Sequence, residues 1–174
     1  MELLLGCGSN RERKIDLTGS GQWSDLVTLD INNDHNPDVV HDIASVPLPF
    51  ADDTFDEIHA YEVMEHVGQQ GDWRFFFDQW SDIWRILKPG GMFFGTSPAL
   101  SSRWLWGDPG HTRIVSAESL TYLHQPAYEQ VGTSPMTDYR FCYQADFDPV
   151  HLSEESGAFI YILRAVKPSR CRRS

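Results

Sequence analysis

The strongest constraint on the fold is a series of short apolar runs that each end on glycine or an acid. Leu3-Leu4-Leu5 runs directly into Gly6-Cys7-Gly8. Residues 27–31 close on Asp30 and Ile31, residues 39–43 on Asp42 and Ile43, and residues 55–61 end at Tyr61 and flow into Glu62. Runs this short, bounded by turn-forming residues, read as strands. Residues 72–87 change period. Trp73, Phe76, Phe77, Trp80, Ile83, Trp84 and Leu87 recur at helical spacing, with Asp72 placed to cap the first turn. This aromatic stripe is expected to pack on the sheet.

Lys88-Pro89-Gly90-Gly91 is expected to end that helix in a sharp turn before a fifth strand beginning at residues 92–96. A second helix is expected over 116–123, started by Ser116 and Glu118, and residues 147–152 and 159–166 read as a closing strand pair. Strand and helix alternate and two strands follow. The fold class is therefore α/β, with a mostly parallel sheet, helices on its faces and an antiparallel C-terminal strand. A chain of 174 residues suits one domain. It divides into a ligand-binding half (1–96), an insertion (97–145), the closing strands (147–166) and a basic tail (167–174).

No apolar run approaches the roughly 18–20 residues that span a bilayer, and no export signal is visible, so a cytoplasmic location is expected. Cys7, Cys142 and Cys171 are odd in number and far apart. They suggest neither a disulfide framework nor a metal site, and no metal is expected. The net charge of −11 argues against broad binding to a phosphate backbone. Lys167, Arg170, Arg172 and Arg173 are the local exception, read either as a frayed, solvated end or as a contact for nucleic acid or an acidic partner.

In open α/β sheets, ligands bind beyond the carboxyl ends of the strands, near the point where strand order reverses. Gly6 and Gly8 let backbone approach a ligand. Asp30 follows at the distance where a carboxylate accepts from ribose hydroxyls, and Asp42, Ile43, Tyr61 and Glu62 end the next two runs. A dinucleotide fingerprint requires a third glycine opening a helix onto the pyrophosphate. Arg11 follows Asn10 here, and residues 10–23 make a poor, glycine-interrupted helix. A cofactor without phosphates fits better, and acidic surroundings tolerate a sulfonium cation. A nicotinamide-dependent oxidoreductase is correspondingly disfavoured.

These residues resemble the class I S-adenosylmethionine-dependent methyltransferases, and more narrowly the methyltransferase-11-like group. Leu4-Leu5-Gly6-Cys7-Gly8-Ser9-Asn10 resembles the glycine-rich first motif and Leu29-Asp30-Ile31 the second. The stretch 48–58, followed by Val63-Met64-Glu65-His66-Val67, and the turn Arg85-Ile86-Leu87-Lys88-Pro89-Gly90-Gly91 resemble two more specific family motifs. The resemblance implies a Rossmann-like three-layer sandwich that binds S-adenosylmethionine. It implies that Gly6, Cys7 and Gly8 line the methionine part and Asp30 binds the ribose, with Ile31 beside the adenine. Asp42 and Ile43 would meet the adenine edge, and Tyr61 and Glu62 the sulfonium side; His66 more often braces the loop.

Two departures stand out. The family usually carries an acid two residues before the first glycine, where this chain has Leu4; Glu62 is the alternative partner for the cofactor's ammonium. The sequence also opens at the first strand, and the site is expected to be either unusually open or closed by residues 97–145 or by a second subunit in a homodimer. Methyl transfer from a sulfonium needs alignment, and a base only when the acceptor is protonated. His111, in Gly107-Asp108-Pro109-Gly110-His111-Thr112-Arg113, is the candidate catalytic base, its other reading being a loop-fixing hydrogen bond. Arg113 is read as pairing with Asp108 or holding an anionic acceptor. Trp104, Trp106 and Tyr61 are read as an acceptor-side wall or as packing. The expected function is methyl transfer to an acceptor, a small molecule rather than a nucleic acid. The alternative is an S-adenosylmethionine-binding or catalytically inactive methyltransferase-like module acting through a protein partner.

Overall fold

The structure, a computed structural model, describes residues 1–172. Seven strands form one sheet: β1 (Glu2–Leu5), β2 (Leu26–Asp30), β3 (Val39–Val40), β4 (Phe55–Tyr61), β5 (Leu87–Pro98), β6 (Phe147–Glu155) and β7 (Ala158–Ala165). Their spatial order is β3-β2-β1-β4-β5-β7-β6. Neighbours from β3 to β5 pair in parallel, and β7 runs antiparallel to both β5 and β6. The α/β, mostly parallel Rossmann-like sheet with an antiparallel C-terminal strand is the observed fold.

Helix α1 (Trp73–Ile86) begins where expected, Asp72 accepting from the Phe75 amide at 3.2 Å. It lays Phe77, Trp80, Ile83 and Ile86 on the sheet. Trp80 is 1% exposed, with ring centroids 5.0 Å from Phe93 and 5.7 Å from Phe147. Burial of an aromatic this large dominates the local packing energy. The short α2 (Ala117–Thr121) carries the expected cap at Ser116, with Ser119 completing a reciprocal capping box. Leu120 and Leu123 join the same core as α1.

The other sheet face is covered differently. Residues 9–25 form no helix, in keeping with Gly19 and Gly21 at positive φ. They lie over Leu4, Cys7 and Tyr61, packing Ile15 and Trp23 there. Beneath them, Arg13 bridges Glu2 at 2.7 Å and Glu57 at 2.6 Å. His59, fully buried, stacks on Phe94 and lies between Glu57 (2.9 Å) and the Tyr61 hydroxyl (2.6 Å). The Ile15 amide donates to the Tyr61 oxygen, so that hydroxyl donates to His59 Nδ1, and Nε2–H donates to Glu57. A neutral ring satisfies both bonds, and burial with Arg13 close by holds His59 down at about 3.

Several local expectations change. The third strand is only Val39–Val40, because Asp42 accepts the Ala44 amide and starts a turn. Lys88-Pro89-Gly90-Gly91 is not a separate turn: β5 starts at Leu87, and a bulge opposite Phe55 and Glu57 absorbs those residues. Arg113 does not pair with Asp108. It is 4% exposed, donating from Nε to the Met64 carbonyl at 3.0 Å and from Nη2 to Gln79. The tail is not frayed through residue 172. Lys167 pairs with Asp53, Arg170 with Asp146 and Asp148, and the Arg172 carbonyl accepts from Arg140. Arg173 lies outside the described residues. Trp104 and Trp106 are exposed, 57% and 62%, so packing does not explain them.

Candidate functional site

Strand order reverses at β1: the chain proceeds outward through β2 and β3, then returns to β4 on β1's other side. At the carboxyl end of this switch point lies an open cleft of about 280 Å³. Its lining is Gly6, Asp30, Ile31, Asp42, Ile43, Glu62, Val63, His66 and Val67. Six expected cofactor residues thus meet in one place.

The β1 turn is shaped by its glycines. Gly6 sits at φ +58°, and a Cβ there would lie 2.6 Å from Val63 Cγ2. Gly8, at φ +51°, would carry its Cβ into open space. The Gly8 amide donates to Asp30 Oδ2 at 2.8 Å, and Asn32 donates to Oδ1 at 2.8 Å. These amides and His35 hold the Asp30 carboxyl below its usual range despite burial. Oδ2, with the Gly8 amide as its partner, retains a lone pair for a hydroxyl donor.

Glu62 is the strained residue of the site. It adopts φ +56°, a region that side chains rarely occupy, while its amide donates to the Thr96 carbonyl at 2.9 Å. The side chain is exposed and lines the cleft. Ile31 is 67% exposed at the other end. Cys7 and Tyr61 are placed otherwise. The Cys7 thiol is buried against Leu4 and Tyr61, and burial raises it above its usual value. The Tyr61 ring lies on the far sheet face beneath residues 9–25.

The loop after β5 packs beside His66, at the edge of the cleft. Thr112 and Arg113 donate their amides to the Glu65 carbonyl at 2.9 and 3.2 Å, drawing residues 105–113 onto the short 3-10 turn Met64–His66. His111 thereby lies edge-to-face with His66, centroids 4.6 Å apart. Its Nδ1 donates to the Leu105 carbonyl at 3.1 Å, and Nε2 lies 4.0 Å from Glu65 Oε1. The loop-fixing bond and an available Nε2 therefore coexist. Glu65 is fully buried, and burial pushes its carboxyl up to about 7. It belongs to this cluster yet was not among the expected site residues. The adjacent pair Glu65-His66, just after a strand end, was the available signal.

S-adenosylmethionine can be tested against this lining. Its ionisable members are Asp30, Asp42, Glu62 and His66, with no Lys or Arg. Such a surface suits hydroxyls, an ammonium and a sulfonium, and repels a pyrophosphate. The residues fit the cofactor.

The family model described as "Methyltransferase domain" matches residues 3–95. This chain belongs to that methyltransferase family. Among solved structures, it resembles an S-adenosylmethionine-dependent methyltransferase from Archaeoglobus fulgidus (TM-score 0.58, 16% identity), covering 94% of this chain and 85% of the other. A complex of the Haloferax volcanii Trm112 methyltransferase activator with a methyltransferase matches at TM-score 0.58 and 16% identity, covering 95% and 82%. A Methanosarcina mazei S-adenosylmethionine-dependent methyltransferase matches at 0.56 and 16%, covering 95% and 92%. No curated protein matches by sequence. These likenesses are likenesses of fold, and S-adenosylmethionine is the cofactor expected of a methyltransferase domain with this fold. Among the described residues no helix is long and apolar enough to cross a membrane.

Proposed function

We propose that this methyltransferase domain transfers a methyl group from S-adenosylmethionine to a small-molecule acceptor docked at the edge of the cleft, beside His66 and His111. The observation that carries the reading is the all-acidic ionisable lining of the switch-point cleft, apart from His66, which suits a cationic, phosphate-free nucleoside. S-adenosylmethionine, when bound, supplies a methyl group already activated on a sulfonium sulfur.

The chain's residues orient and hold. Asp30 accepts from the ribose hydroxyls and the turn at Gly6 and Gly8 gives backbone access to the methionine part. Ile31 and Ile43 offer apolar surface to the adenine. Glu62 replaces the acid absent at Leu4 and accepts from the ammonium. Cys7 contributes through backbone, since its thiol is buried away from the cleft. Tyr61 acts indirectly, by holding residues 9–25 through the Ile15 amide. His111 offers Nε2 as a base for a protonated acceptor, held in that tautomer by Leu105. A net charge of −11 favours a small acceptor over a nucleic acid.

A second reading is a cofactor-binding module that works through a protein partner, by analogy with the neighbour solved with Trm112. The test is transfer of label from methyl-labelled S-adenosylmethionine across panels of small hydroxyl, amine and thiol compounds. Turnover on one class supports the enzyme. Cofactor binding with no turnover on any class, alone or with a co-purifying protein, supports the module.

A further inference from the structure

We propose that Glu65, His66 and His111 form a binding site for a divalent transition-metal ion at the edge of the cleft. One donor atom from each of the three lies within 4.8 Å of the others. Coordination bonds of about 2.0–2.2 Å would draw these donors to roughly 3–3.5 Å apart, a closure of up to about 1.3–1.8 Å.

The carboxylate is prepared for a cation. Glu65 is fully buried, Oε2 accepts from Ser97 Oγ at 2.9 Å, and Oε1 has no hydrogen-bond partner. A buried, unpartnered carboxylate oxygen is costly and rare. Arg113, the nearby cation, directs its Nε to Met64 and Nη2 to Gln79, leaving Oε1 open.

Both imidazoles are prepared as well. His66 Nδ1 donates to the Gly110 carbonyl at 3.1 Å and His111 Nδ1 to the Leu105 carbonyl at 3.1 Å. These carbonyls can only accept, so each ring keeps its Nε2 lone pair free. Carbonyl-anchored histidines are the usual arrangement behind a bound metal. Two imidazoles and one carboxylate suit zinc and similar ions and leave coordination positions open. Asp108 Oδ2, 3.9 Å from His111 Nε2, is within reach as a further donor.

The functional consequence rests on the methyltransferase reading. His66 also lines the cleft, so an ion here would present its open positions to an acceptor oxygen beside the cofactor. His111 Nε2 would then serve as ligand instead of base, and acidification of an acceptor hydroxyl would pass to the ion.

The test uses the full chain, stripped of metal, titrated with Zn²⁺ by calorimetry and with Co²⁺ by visible absorption, without cofactor. One ion per chain is expected, with Co²⁺ d–d bands and no thiolate charge-transfer band. Affinity should fall at least tenfold in Glu65→Gln and in His66→Gln. Because Glu65 is buried, the exposed His66 site supplies the variant least able to disturb folding, checked by circular dichroism. Absent saturable binding, a thiolate band, or unchanged affinity in His66→Gln would overturn the site. A separate titration of the same chain with S-adenosylmethionine that shows no binding would overturn the methyltransferase reading and leave the metal result standing.

Discussion

The Gly8 amide donates to Asp30 Oδ2 at 2.8 Å, fastening the turn after β1 to the last residue of β2. One carboxylate therefore both shapes the glycine turn and faces the cleft. This double use explains why strand ends separated by the irregular residues 9–25 hold a common geometry without a helix between them.

Asp30→Ala should weaken binding of S-adenosylhomocysteine by about 1 kcal/mol or more, roughly fivefold, from the loss of charge-assisted hydrogen bonds to the ribose. Calorimetry on folded protein checks it, with Asp30→Asn as a gentler variant that keeps an acceptor oxygen. An affinity unchanged in both would remove Asp30 from the site.

Gly6→Ala should destabilise the chain by about 1–3 kcal/mol, because its φ of +58° is strained for alanine and its methyl would meet Val63. Gly8→Ala is strained at its own positive φ but meets no atom within 4 Å. Urea unfolding should place Gly6→Ala clearly below Gly8→Ala. Equal losses would show that contact with Val63 contributes nothing.

His59 predicts an acid-side stability slope. In the folded chain it stays neutral down to about pH 3, whereas in the unfolded chain it takes a proton near the ordinary imidazole value of 6.5. The unfolded state therefore binds more protons between these values. Stability is fully present above about pH 6.5 and lost as pH falls towards 3, by up to about 1.4 kcal/mol per pH unit. Glu57 acts in the opposite sense, since burial raises its carboxyl. His59→Gln keeps a donor for Glu57 and an acceptor for Tyr61 without titrating. Comparing unfolding free energies from pH 7 to 4 should show a flatter slope for the variant, and identical slopes would contradict the assignment.

Much of this architecture is legible in the sequence because it depends on local rules. Asp72 and Ser116 cap their helices as residue type alone predicts, and the stripe from Trp73 to Ile86 buries the face that its periodicity marks. Glycine and acid at successive strand ends place the cleft, since strand direction fixes where those ends lie. What was hidden depends on contacts distant in sequence. Tyr61 ends a strand, yet its side chain turns to the far face, because alternation along β4 sends Ala60 to the α1 side and Tyr61 to the side of Leu4. Arg113 resembled a partner for Asp108 until residues 105–113 docked on Glu65 and buried it against Gln79. The cluster of Glu65, His66 and His111 has no ligand spacing to read, since the β5 loop alone brings the second histidine back.

In the proposed function, the acidic cleft at the β1–β4 switch point binds a phosphate-free adenosine cofactor. Calorimetry of the purified chain with S-adenosylmethionine, S-adenosylhomocysteine and NAD tests it most directly. Saturable binding of both sulfur compounds at one site per chain is expected, and none of NAD. Binding of NAD, or of neither sulfur compound, would contradict it.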